Sequence, residues 1–183
     1  MDFNKNAHHR RSIRLRHYNY SKNGLYFVTI CTHDRLPLFG NIVAGEMMLN
    51  KAGLAVETCW RDIANHFTWI NADEFVVMPN HVHGIVNICA RDGGEPQAVA
   101  KDILPLRHGT SCTIGSVIRG FKIGVTKWCR KNTDIHQVWQ RNYHEHIIRN
   151  EESHLKIVEY IRTNPQQWTE DRYHAPQSRP VTP

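Results

Sequence analysis

The stretch Asp73–Ile88, DEFVVMPNHVHGIVNI, decides the fold. It reads as two short strands joined at Pro79-Asn80: Phe75 to Met78, closed by a proline that cannot donate to a ladder, then Val82 to Ile88, entered through His81. Side chains on a strand alternate between faces. His81, His83, Ile85 and Asn87 therefore share one face, while Val82, Val86 and Ile88, with Gly84 among them, share the other. One face can seal a core. The other offers two imidazoles roughly 7 Å apart along the backbone, able to converge on one ion if a further ligand comes from elsewhere. With thirteen histidines in 183 residues, such a pair taken alone is more often two partly exposed polar side chains.

Working outward, Leu25 to Thr32 (LYFVTICT) is β-branched and aromatic and follows Asn23-Gly24, so it reads as a buried strand opened by a turn. Asp34 to Gly45 reads as a loop. Asn50 is placed to cap a helix running to about His66, with Val56, Trp60, Ile63 and Phe67 at helical spacing. Residues 90–109 are rich in glycine, proline and charge and read as a long surface loop. Thr113 is positioned to cap the next helix, with Ile114, Val117, Ile118, Phe121, Val125 and Trp128 as its apolar stripe. Gly115, Gly120 and Gly124 weaken that helix and allow close packing on the sheet.

His144 to Arg149 is a short strand, and Asn150 caps a last helix that starts with Glu151 and Glu152. Ile157, Val158 and Ile161 mark its buried stripe, and Pro165 ends it, disfavouring α geometry at Asn164. The order is strand, helix, strand, strand, helix, strand, helix: an α+β architecture in which an antiparallel sheet carries helices on one face. The expected organisation is a basic N-terminal arm over 1–20, one domain over 21–168, and a pattern-free C-terminal tail over 169–183.

Composition narrows the function. No apolar run is long enough to span a membrane. The five cysteines are scattered, odd in number and form no CxxC, which argues against a disulfide framework or a zinc ribbon and for a reducing cytoplasm. The net charge of +6 suits a polyanion, nucleic acid first. Arg10, Arg11, Arg14 and Arg16 with Tyr18 and Tyr20 form either a solvated arm or one that tracks phosphates and stacks on bases. Arg119, Lys122 and Lys156 are further candidate DNA contacts.

The last helix carries the other half of the reading. Lys156, Tyr160 and Asn164 fall at i, i+4 and i+8, a row beside the apolar stripe. If that row faces the histidines, the chain assembles two imidazoles, an amide and a phenol. Phosphodiester transesterification needs this set. A tyrosine with a pKa near 10 attacks well only when the phosphate is activated, which a divalent ion on two histidines and an amide oxygen would do. Lys156, one turn before Tyr160, is placed to favour the phenolate.

Three segments carry a resemblance: RRSIRLRHYNYSKNGLYFVTICTHDRLPLFG, DEFVVMPNHVHG and VWQRNYHEHIIRNEESHLKIVEYIRTNPQQW. Together they resemble the REP-associated tyrosine transposases, single-tyrosine members of the HUH nuclease group, from about Arg11 to Trp168. The resemblance implies a ferredoxin-like sheet with the histidine pair on a central strand. It implies His81, His83 and Asn164 as ligands of magnesium or manganese and Tyr160 as the nucleophile. It also implies single-stranded DNA beside a palindromic hairpin as substrate, cut to a 5′-phosphotyrosine and a free 3′-hydroxyl in DNA transposition or REP mobilisation. Related transposases are dimers while REP-associated ones can act as monomers, so both a homodimer and a monomer stay open. Tyr143 is a rival nucleophile by type, and His144 and His146 are candidates for DNA or metal-adjacent contacts. The alternative function is a non-catalytic hairpin-binding module or regulator on the same fold. A metal-dependent phosphohydrolase fits less well, since Ile85 and Val86 stand where His-x-His-x-Asp-His needs an acid and a histidine.

Overall fold

A computed structural model describes residues 23–89 and 113–174. The arginines of the N-terminal arm, the 90–109 loop and the end of the tail lie outside the described residues. In chain order the elements are β1 (Gly24–Cys31), a 3-10 turn (His33–Arg35), β2 (Gly40–Val43), β3 (Glu46–Leu49), α1 (Lys51–Arg61), α2 (Ile63–His66), β4 (Ile70–Met78), β5 (His81–Ile88), α3 (Ile114–Asn132), β6 (His144–Ile148), α4 (Glu151–Thr163) and a 3-10 turn (Trp168–Glu170).

Four strands form the main sheet in the order β4-β5-β1-β6, with every neighbouring pair antiparallel. Leaving out the β2–β3 hairpin and the short α2, the chain runs β-α-β-β-α-β, the ferredoxin-like arrangement, followed by α4. The histidine strand β5 is central, flanked by β4 and β1. Its register puts His81 opposite Cys31 and His83 opposite Thr29. β4 begins at Ile70, earlier than the expected Phe75, and a bulge between Ala72 and Phe75 carries it past the charged Asp73-Glu74.

The alternation expected for β5 is present. Val82, Val86 and Ile88 join Tyr26, Val28 and Ile30 in the main core, closed by Val56 and Trp60 of α1 and by Val117, Ile118, Phe121 and Val125 of α3. Gly84 is required there. A Cβ at this position would lie 2.2 Å from the Trp60 ring, so the indole packs directly on the β5 backbone. Cβ atoms at Gly120 and Gly124 would meet Phe67, at 3.2 Å, and Cys59, at 3.5 Å, rather than the sheet.

The helices are not all on one face. Ile161 of α4 packs with Ile85 and Ile148 in a second, smaller cluster on the histidine face. The Asn50 and Asn150 caps form as expected, accepting from Gly53 N at 2.9 Å and Ser153 N at 2.8 Å. Thr113 precedes α3 without capping a backbone N–H; its hydroxyl lies 3.3 Å from that of Ser116. The helix expected to reach His66 is broken at Asp62 into α1 and α2, while Val56, Trp60 and Ile63 still turn inward.

Two local readings are corrected. Asp34–Gly45 contains the 3-10 turn and most of a hairpin whose turn, Ala44-Gly45, has positive φ at both residues (51° and 79°). Such turns are signalled by Asn-Gly or Asp-Gly, so Ala-Gly concealed it. Asn164 keeps α geometry (φ −55°, ψ −42°) despite Pro165. Its side chain is buried and bonded to Asp171, which outweighs the local preference before proline.

Candidate metal and tyrosine site

The site lies between the histidine face of the sheet, α4, and residues 168–174. β5 presents both imidazoles on its α4 side, and both are almost completely buried. α4 presents Tyr160 and Asn164 one turn apart, so its capped start and helical period aim the row at β5. The Tyr160 hydroxyl lies 3.2 Å from His83 Nε2, and the two rings meet edge to face at 5.1 Å. Phe27 of β1 stacks on His83 at 5.3 Å and meets Tyr160 edge-on, forming the apolar side of the site.

The histidine tautomers follow from their partners. Asn80 Nδ2 donates to the carbonyls of Arg35 (3.1 Å) and Tyr173 (2.8 Å), which turns Asn80 Oδ1 toward His81. His81 Nδ1, 2.8 Å away, must donate to that oxygen, leaving Nε2 as a bare lone pair. Arg35 reaches this position through left-handed backbone at Asp34 and Arg35 (φ 49° and 56°). His83 Nδ1 bonds Thr29 Oγ1 at 2.9 Å. Each ring is thus held through its δ nitrogen; at His81 this leaves Nε2 free, the arrangement metal-binding histidines use, while His83 Nε2 faces the Tyr160 hydroxyl.

Asn164 is oriented by the same logic. Its Nδ2 donates to Asp171 Oδ2 at 2.8 Å. A carboxylate only accepts, so the amide oxygen faces away from it. Both His81 Nε2 and Asn164 Oδ1 are buried without a hydrogen-bond partner. Leaving such an atom bare costs about 1–3 kcal/mol. Both are electron-pair donors, which fits a cation-binding function. His81, His83 and Asp171 form a group that could hold a metal ion, with one ligand atom from each all within 4.8 Å of one another.

Burial governs the electrostatics. It lowers the His81 pKa to about 4, against an opposing pull from Asp171, and pushes that of His83 well below the usual histidine value, with His81 adding to the effect. Both rings are neutral at physiological pH, the form that binds a metal. Burial first, then the Asp171 charge, raises the Tyr160 phenol to about 12. Without a cation nearby, the nucleophile candidate is firmly protonated.

Sequence reasoning named four of the residues gathered here: His81, His83, Tyr160 and Asn164. Lys156 stands apart. It is exposed, with its ammonium 2.6 Å from Glu152. Arg119 and Lys122 belong to α3, which packs on the opposite face. Arg119 is exposed, whereas Lys122 Nζ donates to the carbonyls of Gln140 (2.8 Å) and Asn142 (2.9 Å) and holds that loop. Burial lowers its pKa to about 8. Tyr143 packs against the main core, and His144 and His146 are exposed on the edge strand. Asp171, Tyr173 and Asn80 were missed. Tyr173 is buried at the start of the segment read as a tail, its ring 4.9 Å from that of His81. The only sequence signal was two large aromatics, Trp168 and Tyr173, in an otherwise unpatterned stretch.

A REP-associated tyrosine transposase solved with a REP hairpin shares this fold, with a TM-score of 0.56 over 85% of this chain and 73% of that one, at 22% identity. A second structure, of a protein from Deinococcus radiodurans R1, has a TM-score of 0.43 at 16% identity over 81% of this chain and 95% of that one, too distant to add an argument. No protein-family model matches. The fold class is therefore that of the REP-associated tyrosine transposase. More particularly, the chain belongs to the same family as a Haemophilus influenzae (strain Rd) protein, described as an uncharacterized protein, to which it is 50% identical over 175 residues, covering 94% of this chain and 97% of that one. Among the described residues no helix is long and apolar enough to cross a membrane.

Proposed function

We propose that this protein is a single-stranded DNA endonuclease and strand transferase that acts beside a palindromic hairpin, with Tyr160 as nucleophile. One observation carries the reading. The Tyr160 hydroxyl stands 3.2 Å from His83 Nε2 at a buried site where His81 Nε2 and Asn164 Oδ1 have no partner. His81, His83 and Asn164 would hold a divalent ion, magnesium or manganese, for which mixed imidazole and amide oxygen donors are suited. When bound, the ion polarises a phosphate and offsets the charge that builds on its oxygens. A similar fold occurs in a protein solved with a REP hairpin, which supports a hairpin as the DNA partner.

The chain's own residues do the rest. Tyr160 is aimed by α4 and steadied by Phe27 and His83, so its oxygen is held where a phosphate on the ion would lie. Its oxygen forms a bond to phosphorus as the bond from phosphorus to the 3′ sugar oxygen breaks. The phenol gives up its proton to solvent, and the departing 3′ oxygen takes one up. The phosphotyrosine retains the phosphodiester energy, so a 3′-hydroxyl attacking it reseals a strand without another energy source. The exposed arginines and lysines on α3 and α4 contribute general attraction for the DNA backbone.

The test uses end-labelled hairpin DNA with a single-stranded flank, incubated with protein and Mg²⁺ or Mn²⁺. The expected result is a covalent adduct that survives denaturation and is absent in Tyr160→Phe. An adduct retained in Tyr160→Phe and lost in Tyr143→Phe overturns the assignment. Hairpin binding with no adduct in either ion favours a binding module instead.

A further inference from the structure

Asp171 has no place in the two-histidine, one-amide centre, yet its carboxylate accepts three hydrogen bonds around it. Its Oδ1 accepts from the Tyr173 backbone N–H at 2.6 Å. That fixes the carboxylate and turns Oδ2 into the site. Oδ2 then accepts from Asn164 Nδ2 at 2.8 Å and from the Tyr160 hydroxyl at 3.4 Å. The supporting segment is anchored by the histidine network: the Tyr173 carbonyl accepts from Asn80, the residue that fixes the His81 tautomer. One contact chain therefore sets the direction of His81, Asn164 and the carboxylate together.

We propose that Asp171 is itself a ligand of this metal centre, a carboxylate donor supplied by the segment after α4. The proposal rests on the metal-dependent reading above. Donor atoms on one ion at about 2.1–2.3 Å lie roughly 3 Å apart when adjacent and somewhat over 4 Å apart when opposed. The His81, His83 and Asp171 atoms already fall within 4.8 Å of one another, so side-chain movement without a change of fold would bring them onto one ion. The carboxylate supplies the only negative charge among the four donors. Two imidazoles and an amide are neutral; a carboxylate adds a charged oxygen donor, which strengthens the preference for manganese and magnesium over softer transition ions. It also explains why a buried site with cationic Arg35 and Arg172 in electrostatic reach of His81 would attract a dication. With four protein donors, an octahedral ion keeps two positions for phosphate oxygens.

The experiment follows free Mn²⁺ by its EPR signal during titration of the full-length protein, the D171N variant and the H83A variant, with circular dichroism to establish folding. A ligand role predicts a manganese dissociation constant weaker in D171N by more than the about 10–100-fold that loss of an outer-shell partner produces, and no specific binding in H83A. Anomalous diffraction from a manganese-soaked crystal of the unaltered protein should place an Asp171 oxygen at about 2.2 Å from the ion. This measurement stands even if D171N fails to fold. D171N binding manganese as tightly as the parent, with H83A deficient, overturns the proposal and leaves the histidine centre intact. So does an anomalous peak bonded to both histidines with the carboxylate beyond about 3 Å, well outside bonding range. If the unaltered protein takes up no manganese, both this proposal and the metal-dependent reading fall.

Discussion

The two faces of the main sheet are built from the same strands and do opposite things. On one, Val28, Ile30, Val82 and Val86 meet Trp60 and Phe121 in an apolar core. On the other, Thr29, His81 and His83 are buried just as deeply against Tyr160, Asn164 and Tyr173. The first face lowers free energy by removing apolar surface from water. The second keeps unpartnered lone pairs at His81 Nε2 and Asn164 Oδ1 away from water. A sheet can carry such a costly face because the other one stabilises the fold. Stability and chemistry are thus separated by the thickness of one strand, and substitutions on the two faces should separate in the same way.

The largest separation is expected from Tyr160→Phe. Adduct formation should fall by at least about 10³-fold, as for loss of a nucleophile, with the thermal midpoint moved by only a few degrees. Trp60→Ala is the counterpart on the sealed face. It should cost about 3–5 kcal/mol in urea unfolding, with the residual folded fraction still forming adduct. A mutant as stable as the parent would mean that this face does not carry the fold.

Gly84→Ala tests the strand between the faces. The added methyl would stand 2.2 Å from the Trp60 ring, so the indole or β5 must move. A loss of about 1–3 kcal/mol is expected, together with weaker manganese binding through displacement of His83. Unchanged metal affinity would show that the faces are mechanically independent.

The pH dependence comes from the histidine face. The folded state holds His81 neutral down to about 4, while an unfolded histidine takes up its proton near 6.5. Between those values the unfolded chain binds more protons. Stability of the metal-free protein is therefore full above about pH 6.5 and declines as pH falls toward 4. Urea midpoints measured across this window should fall with pH, and less steeply in His81→Gln. The smallest effect belongs to Lys156→Gln. Its exposed pair with Glu152 contributes at most about 0.5 kcal/mol, so stability and adduct yield should be nearly those of the parent. A large loss of adduct would return Lys156 to the site.

Local pattern reached some of this and stopped for identifiable reasons. Asn150 and the helical spacing after it were enough to put Tyr160 and Asn164 on one row; the same spacing includes Lys156, which stands exposed beside Glu152, because a row does not say where the cleft ends. Pro165 argues against helical geometry at Asn164, and a partly buried hydrogen bond to Asp171 outweighs that preference. The Ala44-Gly45 hairpin carried no turn signature strong enough to read.

By itself the sequence determined that His81 and His83 share a face opposite Val82 and Val86, because a strand has a period of two whatever surrounds it. It determined the start of α4 and the row upon it, because capping and helical spacing are properties of the local backbone. Only the tertiary structure decided that α4 crosses the histidine face, that Asn80 fixes one tautomer, and that Asp171 and Tyr173 close the site from a segment with no pattern. These depend on contacts between residues as far as 93 positions apart, such as Asn80 and Tyr173. No local period encodes such pairings; they arise when packing of the two faces brings the segments together.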